Sequence, residues 1–453
     1  MRALIALLAL TALLVHAESP RGYYRYPALH GDTVIFTSEG DLWRVSTKGG
    51  VAQRLTSHAG GETYSAISPD GKTVAFIGNY EGFSEVYTMP VDGGKPVRQT
   101  FENGTPRIAG WTPEGKVLYS TDKFSSLPNT QLVVLDPATH DRVLLPLAQA
   151  SDGVFDPQTK TLFFVRLPKQ SSATKRYRGG WVENLWRFKE GDAEATPLDT
   201  KDTGTNRDPM WWNGRLYFLS DRDGILNVWS MKPDGSNVKQ HTKSKEFDVK
   251  NPSLDAGRIA YQRGADLWLH DIASGKDTML DIRLVSDFEQ EREHWVKKPF
   301  EYLTSWNASP TGDRVVLTSR GEVFIATTDP GRLVELPRKD TVRYRGARFL
   351  PDGKTVLLQS DESGEFEFWK GDARGLTTPQ RMSKDGRIFR FAERVSPDGK
   401  WLAYSDKDWK FWLLNLETKE TRLICESKGD EINDYEWSPD SAWIAFTETA
   451  ANT

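Results

Sequence analysis

The chain has 453 residues, a formal net charge of −4 and a mean hydropathy of −0.56. That length suits two or three domains, and the charge provides no broad basic field, which argues against nucleic acid as a partner. Sixteen Trp and twenty-one Phe in a polar background fit a soluble β-rich protein that buries aromatics between sheets, and a single cysteine, Cys425, excludes an internal disulfide.

The first residues read as a secretory signal peptide. Arg2 is the positive start, Ala3 to Val15 the apolar run, and Val15-His16-Ala17 the small-residue cleavage signal. Cleavage is expected after Ala17, so 1–17 leave, the mature protein is periplasmic or secreted, and no membrane span remains. The alternative is an N-terminal anchor helix.

A three-residue apolar or aromatic core then recurs ten times. It begins with Val34-Ile35-Phe36, Val74-Ala75-Phe76, Val117-Leu118-Tyr119, Leu162-Phe163-Phe164, Leu216-Tyr217-Phe218 and Ile259-Ala260-Tyr261. It continues with Val315-Val316-Leu317, Val356-Leu357-Leu358, Leu402-Ala403-Tyr404 and Ile444-Ala445-Phe446. Most successive copies lie 40 to 46 residues apart, a period that indicates propeller blades of four strands each. Turns such as Ser68-Pro69-Asp70-Gly71 and Ser396-Pro397-Asp398-Gly399 precede many copies. Pro presets the turn and Gly relaxes its end, so the chain reverses into a hairpin. The strand before the turn is expected to be innermost and the triplet to lie on the next strand out. Third strands follow at Asp41-Leu42-Trp43, Glu85-Val86-Tyr87 or Asn227-Val228-Trp229, and weak outer strands at Gln53-Arg54-Leu55-Thr56 or Val97-Arg98-Gln99-Thr100.

Two longer spacings divide the chain. An insert around Lys175 to Trp181 lengthens the fourth blade, and a charged stretch from Ser286 to His294 follows the sixth. The expected fold is all-β: a six-bladed propeller over 18–282, a linker over 283–300, and the first four or so blades of a second, truncated propeller over 301–453. The last triplet is followed by only a few residues, so that blade lacks its two outer strands.

Motifs for chemistry are absent. There is no G-x-S-x-G, H-E-x-x-H, G-x-x-x-x-G-K-[ST] or G-x-G-x-x-G pattern. His16, His30, His58, His140, His241, His270 and His294 are scattered over turns and strand ends, without the i, i+4 pairing a metal would need. No catalytic residue, metal or cofactor is expected. One basic cluster, Lys175, Arg176 and Arg178 beside Gly179-Gly180, is a candidate for holding peptide carboxylates by charge-assisted bonds. The alternative is a solvated loop.

The opening Gly22-Tyr23-Tyr24-Arg25-Tyr26-Pro27, the stretch Phe36 to Val45, Arg54-Leu55-Thr56-Ser57-His58, and Lys175 to Gly180 followed by Asn184-Leu185-Trp186-Arg187 resemble tricorn-type proteases. The resemblance implies an oligopeptide-trimming serine peptidase in which a six-bladed and a seven-bladed propeller precede helical, PDZ-like and catalytic regions. The family's serine and histidine lie in those C-terminal regions, so none of its catalytic residues transfers to a position here. It also implies a gate for peptides or unfolded segments, and a homo-oligomer at full length. Departures are the signal peptide and a second ring that stops in its fourth blade. Ser-Pro-Asp-Gly repeats are shared with other propellers, which leaves a freestanding TolB-like propeller binding protein or peptide partners as the alternative, and the propeller of another hydrolase as a third reading.

Overall fold

The computed structural model describes residues 22–170, 180–198, 204–289, 292–293, 295–384 and 386–448. It forms two compact units, 1–292 and 293–453. Among the described residues helix is confined to short 3-10 turns such as Pro299–Tyr302. The protein is all-β, and its sheets are those of two propellers.

In the first unit each sheet is built on four consecutive antiparallel strands, and the first sheet gains a fifth, parallel one. The first sheet runs Arg25–His30, Thr33–Ser38, Asp41–Ser46 and Gly49–Arg54. Five further sheets begin at the innermost strands Glu62–Ile67, Arg107–Trp111, Asp152–Phe155, Asn206–Trp212 and Val249–Asp255. All ten triplets fall on second strands, as their position after the turns requires.

Burial on both faces explains why these strands are apolar runs rather than alternating ones. Successive side chains point to opposite faces. Val34 and Phe36 therefore pack with Ala260 and Leu267 of the sixth sheet, while Ile35 packs with Val74 and Phe76 of the second. The first sheet is thus held between the second and the sixth, and the ring closes. Two hydrogen bonds from backbone N–H groups fasten that closure: Tyr24 N donates to the backbone Ala265 O at 2.9 Å, and Leu29 N to the side-chain Ser253 Oγ at 2.9 Å. A further strand, Ile282–Leu284, pairs in parallel with Gly49–Arg54, so the first sheet's hydrogen bonding continues past residue 282.

The Ser-Pro-Asp-Gly turns owe their shape to the serine and aspartate as well as to proline. Gly71 N donates to Ser68 O at 2.8 Å with Gly71 at φ 73°, and Ser68 Oγ donates to Asp70 Oδ1 at 2.6 Å. The same pair of bonds recurs at Ser396, Asp398 and Gly399.

The second unit holds three four-stranded sheets, beginning at Leu303–Ala308, Tyr344–Phe349 and Arg390–Val395, and a two-stranded sheet of Tyr435–Trp437 and Ile444–Phe446. Its core packs Val316, Val356 and Leu358 between the first two sheets and Leu357, Leu402 and Tyr404 between the next two. Cys425 is partly buried against the last core cluster.

Candidate functional site

The innermost strands of the first unit carry a repeated irregularity. Between Arg25 and Ala28, Thr63 and Ala66, Arg207 and Met210, and Lys250 and Ser253, one extra residue interrupts the pairing with the second strand. Each of these bulges holds a non-glycine residue in the left-handed region: Tyr26 (φ 51°), Tyr64 (52°), Asp208 (51°) and Asn251 (47°). A fifth bulge, in Arg107–Trp111, uses Gly110. Bulges re-aim side chains and are common beside functional sites. Here they turn toward the ring axis.

All six innermost strands line one cavity of about 300 Å³ on that axis. Tyr26, Tyr64, Trp111 and Trp211 contribute aromatic walls, and the rings of Tyr26 and Tyr64 meet at 4.4 Å. Toward the N-terminal ends of the strands the cavity gives way to a layer of charges. Arg107 Nη2 donates to Asp208 Oδ1 at 3.0 Å and stands 3.8 Å from Asp152 Oδ2. Lys169 Nζ donates to Asp208 Oδ1 at 3.2 Å and to Asn251 Oδ1 at 3.3 Å. Arg207 Nη1 donates to Glu183 Oε2 at 3.2 Å. Three cations thus meet three carboxylates, and Arg107 also lies over the Tyr64 ring at 4.9 Å.

Burial and neighbouring charge set the ionisation of this layer. Burial pushes the Asp152 carboxyl up, because its distant Arg107 compensates it only in part. Asp208 is buried too, yet Lys169, Arg107 and Arg207 hold it well below the usual carboxylate range. Burial, aided by Arg107 nearby, lowers the Lys169 ammonium. Among the described residues bordering this layer, the Ser151 hydroxyl donates to backbone carbonyls and not to a base.

Elsewhere in the unit, Ser230 Oγ and His241 Nε2 lie 2.8 Å apart, and His270 Nδ1 lies 3.0 Å from Asp277 Oδ1. The serine contact and the aspartate contact belong to different histidines, so no Ser-His-Asp relay is assembled. His270 lies near the end of the strand Asp266–Asp271, a strand-end position as expected, but fully buried. Among the described residues no group of three or more His, Cys, Asp or Glu is placed to hold a metal, and no helix is long and apolar enough to cross a membrane.

Lys175, Arg176 and Arg178, the binding residues expected from sequence, lie outside the described residues. The described residues on either side, Lys169 and Glu183, belong to the charged layer. Arg107, Asp152, Lys169 and Asp208 were not expected. The signal that marks their level is the recurrence of a residue followed by proline on innermost strands, Tyr26-Pro27, Asp208-Pro209 and Asn251-Pro252. Proline cannot donate to a ladder and favours bulges.

Comparison with known proteins agrees with this architecture. Residues 21–276 match the tricorn protease N-terminal β-propeller domain, and 303–453 the tricorn protease second β-propeller domain. A tricorn protease homolog from Saccharolobus solfataricus is 30% identical over 433 residues, covering 94% of this chain and 39% of its own length. Tricorn protease homolog 1 from Streptomyces coelicolor is 30% identical over 436 residues, covering 94% and 40%. A crystal structure of the tricorn protease superposes with a TM-score of 0.65 at 22% identity, covering 94% of this chain and 42% of the other. The chain spans about two fifths of the length of these relatives. With both propeller domains matched in order across nearly its whole length, the chain belongs to the tricorn protease family, of which it carries the propeller part.

Proposed function

We propose that this chain is the peptide-passage part of an exported tricorn-like serine peptidase, with bond cleavage residing in regions of such proteins other than the propellers. The axis of the first ring is the passage. The observation that carries this reading is the axial cavity itself, bordered by all six innermost strands and narrowed by the layer of Arg107, Lys169, Asp152 and Asp208. A rigid ring of sheets admits an extended chain where a folded domain is too wide, and charges that can exchange partners give that opening a threshold. Peptides or unfolded segments are the partners, and export follows from the signal-like segment ahead of Glu18.

The test uses an extended decapeptide bearing a photoreactive group, irradiated with the whole chain and mapped by mass spectrometry. Adducts on the innermost strands, absent when the same peptide is locked in a folded carrier, are the expected result. Adducts confined to outer strands and their turns would refute the passage. Fractionation of expressing cells tests export, with a mature N-terminus at Glu18 expected outside the cytoplasm and an intact Met1 inside it counting against.

A further inference from the structure

We propose that a groove between the third and fourth sheets of the first unit binds a small monocarboxylate with an apolar body. The groove is bordered by second and third strands and by loops, and by no innermost strand, so it lies off the axis. The inference is independent of the passage reading.

The groove exists because the third sheet lacks a tight turn. Its second strand Val117–Thr121 and third strand Gln131–Leu135 are joined by a loop over 122–130. That loop and the segment 146–149 form one bank; Phe164, Arg166 and Trp186 with the turn at 193–195 form the other. The space between them is about 740 Å³, within the range of pockets that hold small ligands. On the loop, Phe124 and Leu127 are 45% and 64% exposed, while Leu147 and Phe164 on the same groove are buried. Large apolar side chains held out in water beside a buried apolar floor mark a surface that an apolar body covers.

The charge selects an acid. Arg166 lies over the Trp186 ring at 5.3 Å. Among the described residues it has no ion pair and no hydrogen bond, and Glu194, the other charge on the groove, does not pair with it. Stacking holds a guanidinium by its face and leaves its N–H edge for a bidentate bond to a carboxylate.

Two amides on the groove also lack partners. Asn129 is only 7% exposed, yet its carboxamide makes no hydrogen bond among the described residues. Gln131 donates from Nε2 to Leu147 O at 3.4 Å, while its Oε1 is buried without a partner. A buried amide left unsatisfied costs about 1–3 kcal/mol, so amides in this state on a groove mark where a ligand's polar atoms sit. Asn129 adds a donor for the acid, and Gln131 Oε1 accepts from a hydroxyl or N–H of the ligand.

Calorimetric titration of the whole chain with 4-phenylbutyrate, 4-phenylbutyramide and 4-phenylbutylammonium compares three heads on one apolar body. The carboxylate is expected to bind, the amide about 10-fold more weakly, as a neutral bond replaces a charge-assisted one, and the ammonium not at all. Arg166→Gln should make the acid and the amide equal. Asn129→Ala should weaken both and leave the melting temperature unchanged, because the carboxamide has no partner among the described residues. Leu127→Asp, a change at an exposed loop position that folding tolerates, should weaken the acid more than the amide. No binding of 4-phenylbutyrate at millimolar concentration would overturn the site, as would equal affinity for the three heads. A preference for the acid that survives in Arg166→Gln would overturn it too, since the carboxylate would then sit on another cation.

Discussion

Lys169 Nζ stands 3.2 Å from Asp208 Oδ1, joining the segment after the fourth sheet's second strand to a bulge in the fifth sheet's innermost strand. The same carboxylate also accepts from Arg107 and lies near Arg207. One anion thus compensates several buried cations, and the two partners are not equivalent. Asp208→Asn leaves Lys169 and Arg107 short of their counter-charge and is expected to destabilise the first unit by about 3–5 kcal/mol. Lys169→Met leaves Asp208 with two arginines and removes a lysine that is costly to bury, so its cost is expected to stay under about 2 kcal/mol. Urea denaturation of the two variants checks the asymmetry, and equal losses would contradict it.

The repeat of apolar triplets was enough to place every second strand, because a strand packed on both faces needs an unbroken apolar run that no turn can imitate. The axial residues were not legible in the same way. Their side chains are aimed by bulges whose left-handed residues are Tyr26, Tyr64, Asp208 and Asn251 rather than glycine, so the usual mark of positive φ is missing. Arg107, Asp152 and Asp208 on first strands and Lys169 after a second strand are separated by up to 101 positions and meet only because the ring brings those strands to one axis. Ionic partners of that kind follow from closure, not from local pattern. The histidines show the same limit: the burial of His270 beside Asp277 follows from the packing of the fifth and sixth sheets.

Two hairpins of the first ring solve one turn with different residues. Trp212 leads into Asn213 (φ 45°) and Gly214 (φ 71°), whereas Asp255 leads into Ala256 (φ 46°) and Gly257 (φ 78°). Two successive positive-φ positions make the mirror-image turn that favours Asn-Gly in tight hairpins. Alanine there meets the clash between Cβ and the following carbonyl that asparagine tolerates better. Ala256→Asn is therefore expected to stabilise the first unit by about 1 kcal/mol, read as a higher melting temperature. Ala256→Val should lower it, since a β-branched residue is worse still at positive φ. A neutral or destabilising Ala256→Asn would show that the turn is not limiting.

Closure of the first ring depends on Tyr24. Its backbone N–H donates to Ala265 O at 2.9 Å, and its hydroxyl donates to Ile282 O at 3.0 Å across 258 positions of sequence. The ring packs edge-on to Phe36 at 5.3 Å. Tyr24→Phe keeps that packing and deletes the hydroxyl, so a buried carbonyl on the added strand Ile282–Leu284 loses its donor. The expected cost is about 1–3 kcal/mol. Amide exchange should quicken at Ile282 to Leu284 and in the paired strand Gly49–Arg54 before it changes elsewhere. Uniform acceleration across the unit would mean that this bond does not serve closure in particular.

Two buried groups give the first unit opposing responses to pH. Burial pushes Glu62 up from 4.5 to about 7, despite hydrogen bonding from Thr56 and the proximity of Tyr80. Between those values the folded protein keeps a proton that the unfolded chain has lost, so this group's contribution to stability declines as pH rises. With Glu62 fully buried the loss is no more than about 3.5 kcal/mol. His241 moves the other way. Burial first, then His270 and Arg215, lower it from 6.5 to about 4. Between 4 and 6.5 the unfolded chain binds the proton instead, so this contribution is intact above 6.5 and is lost as pH falls. The two windows overlap from 4.5 to 6.5, where the terms offset each other. Relative to the parent, Glu62→Gln should make stability climb more steeply with pH across that range, and His241→Gln should make it climb less or decline. Denaturation at pH 4.5, 5.5, 6.5 and 7.5 reads both slopes. Slope changes of the same sign in the two variants would be incompatible with these opposed burials.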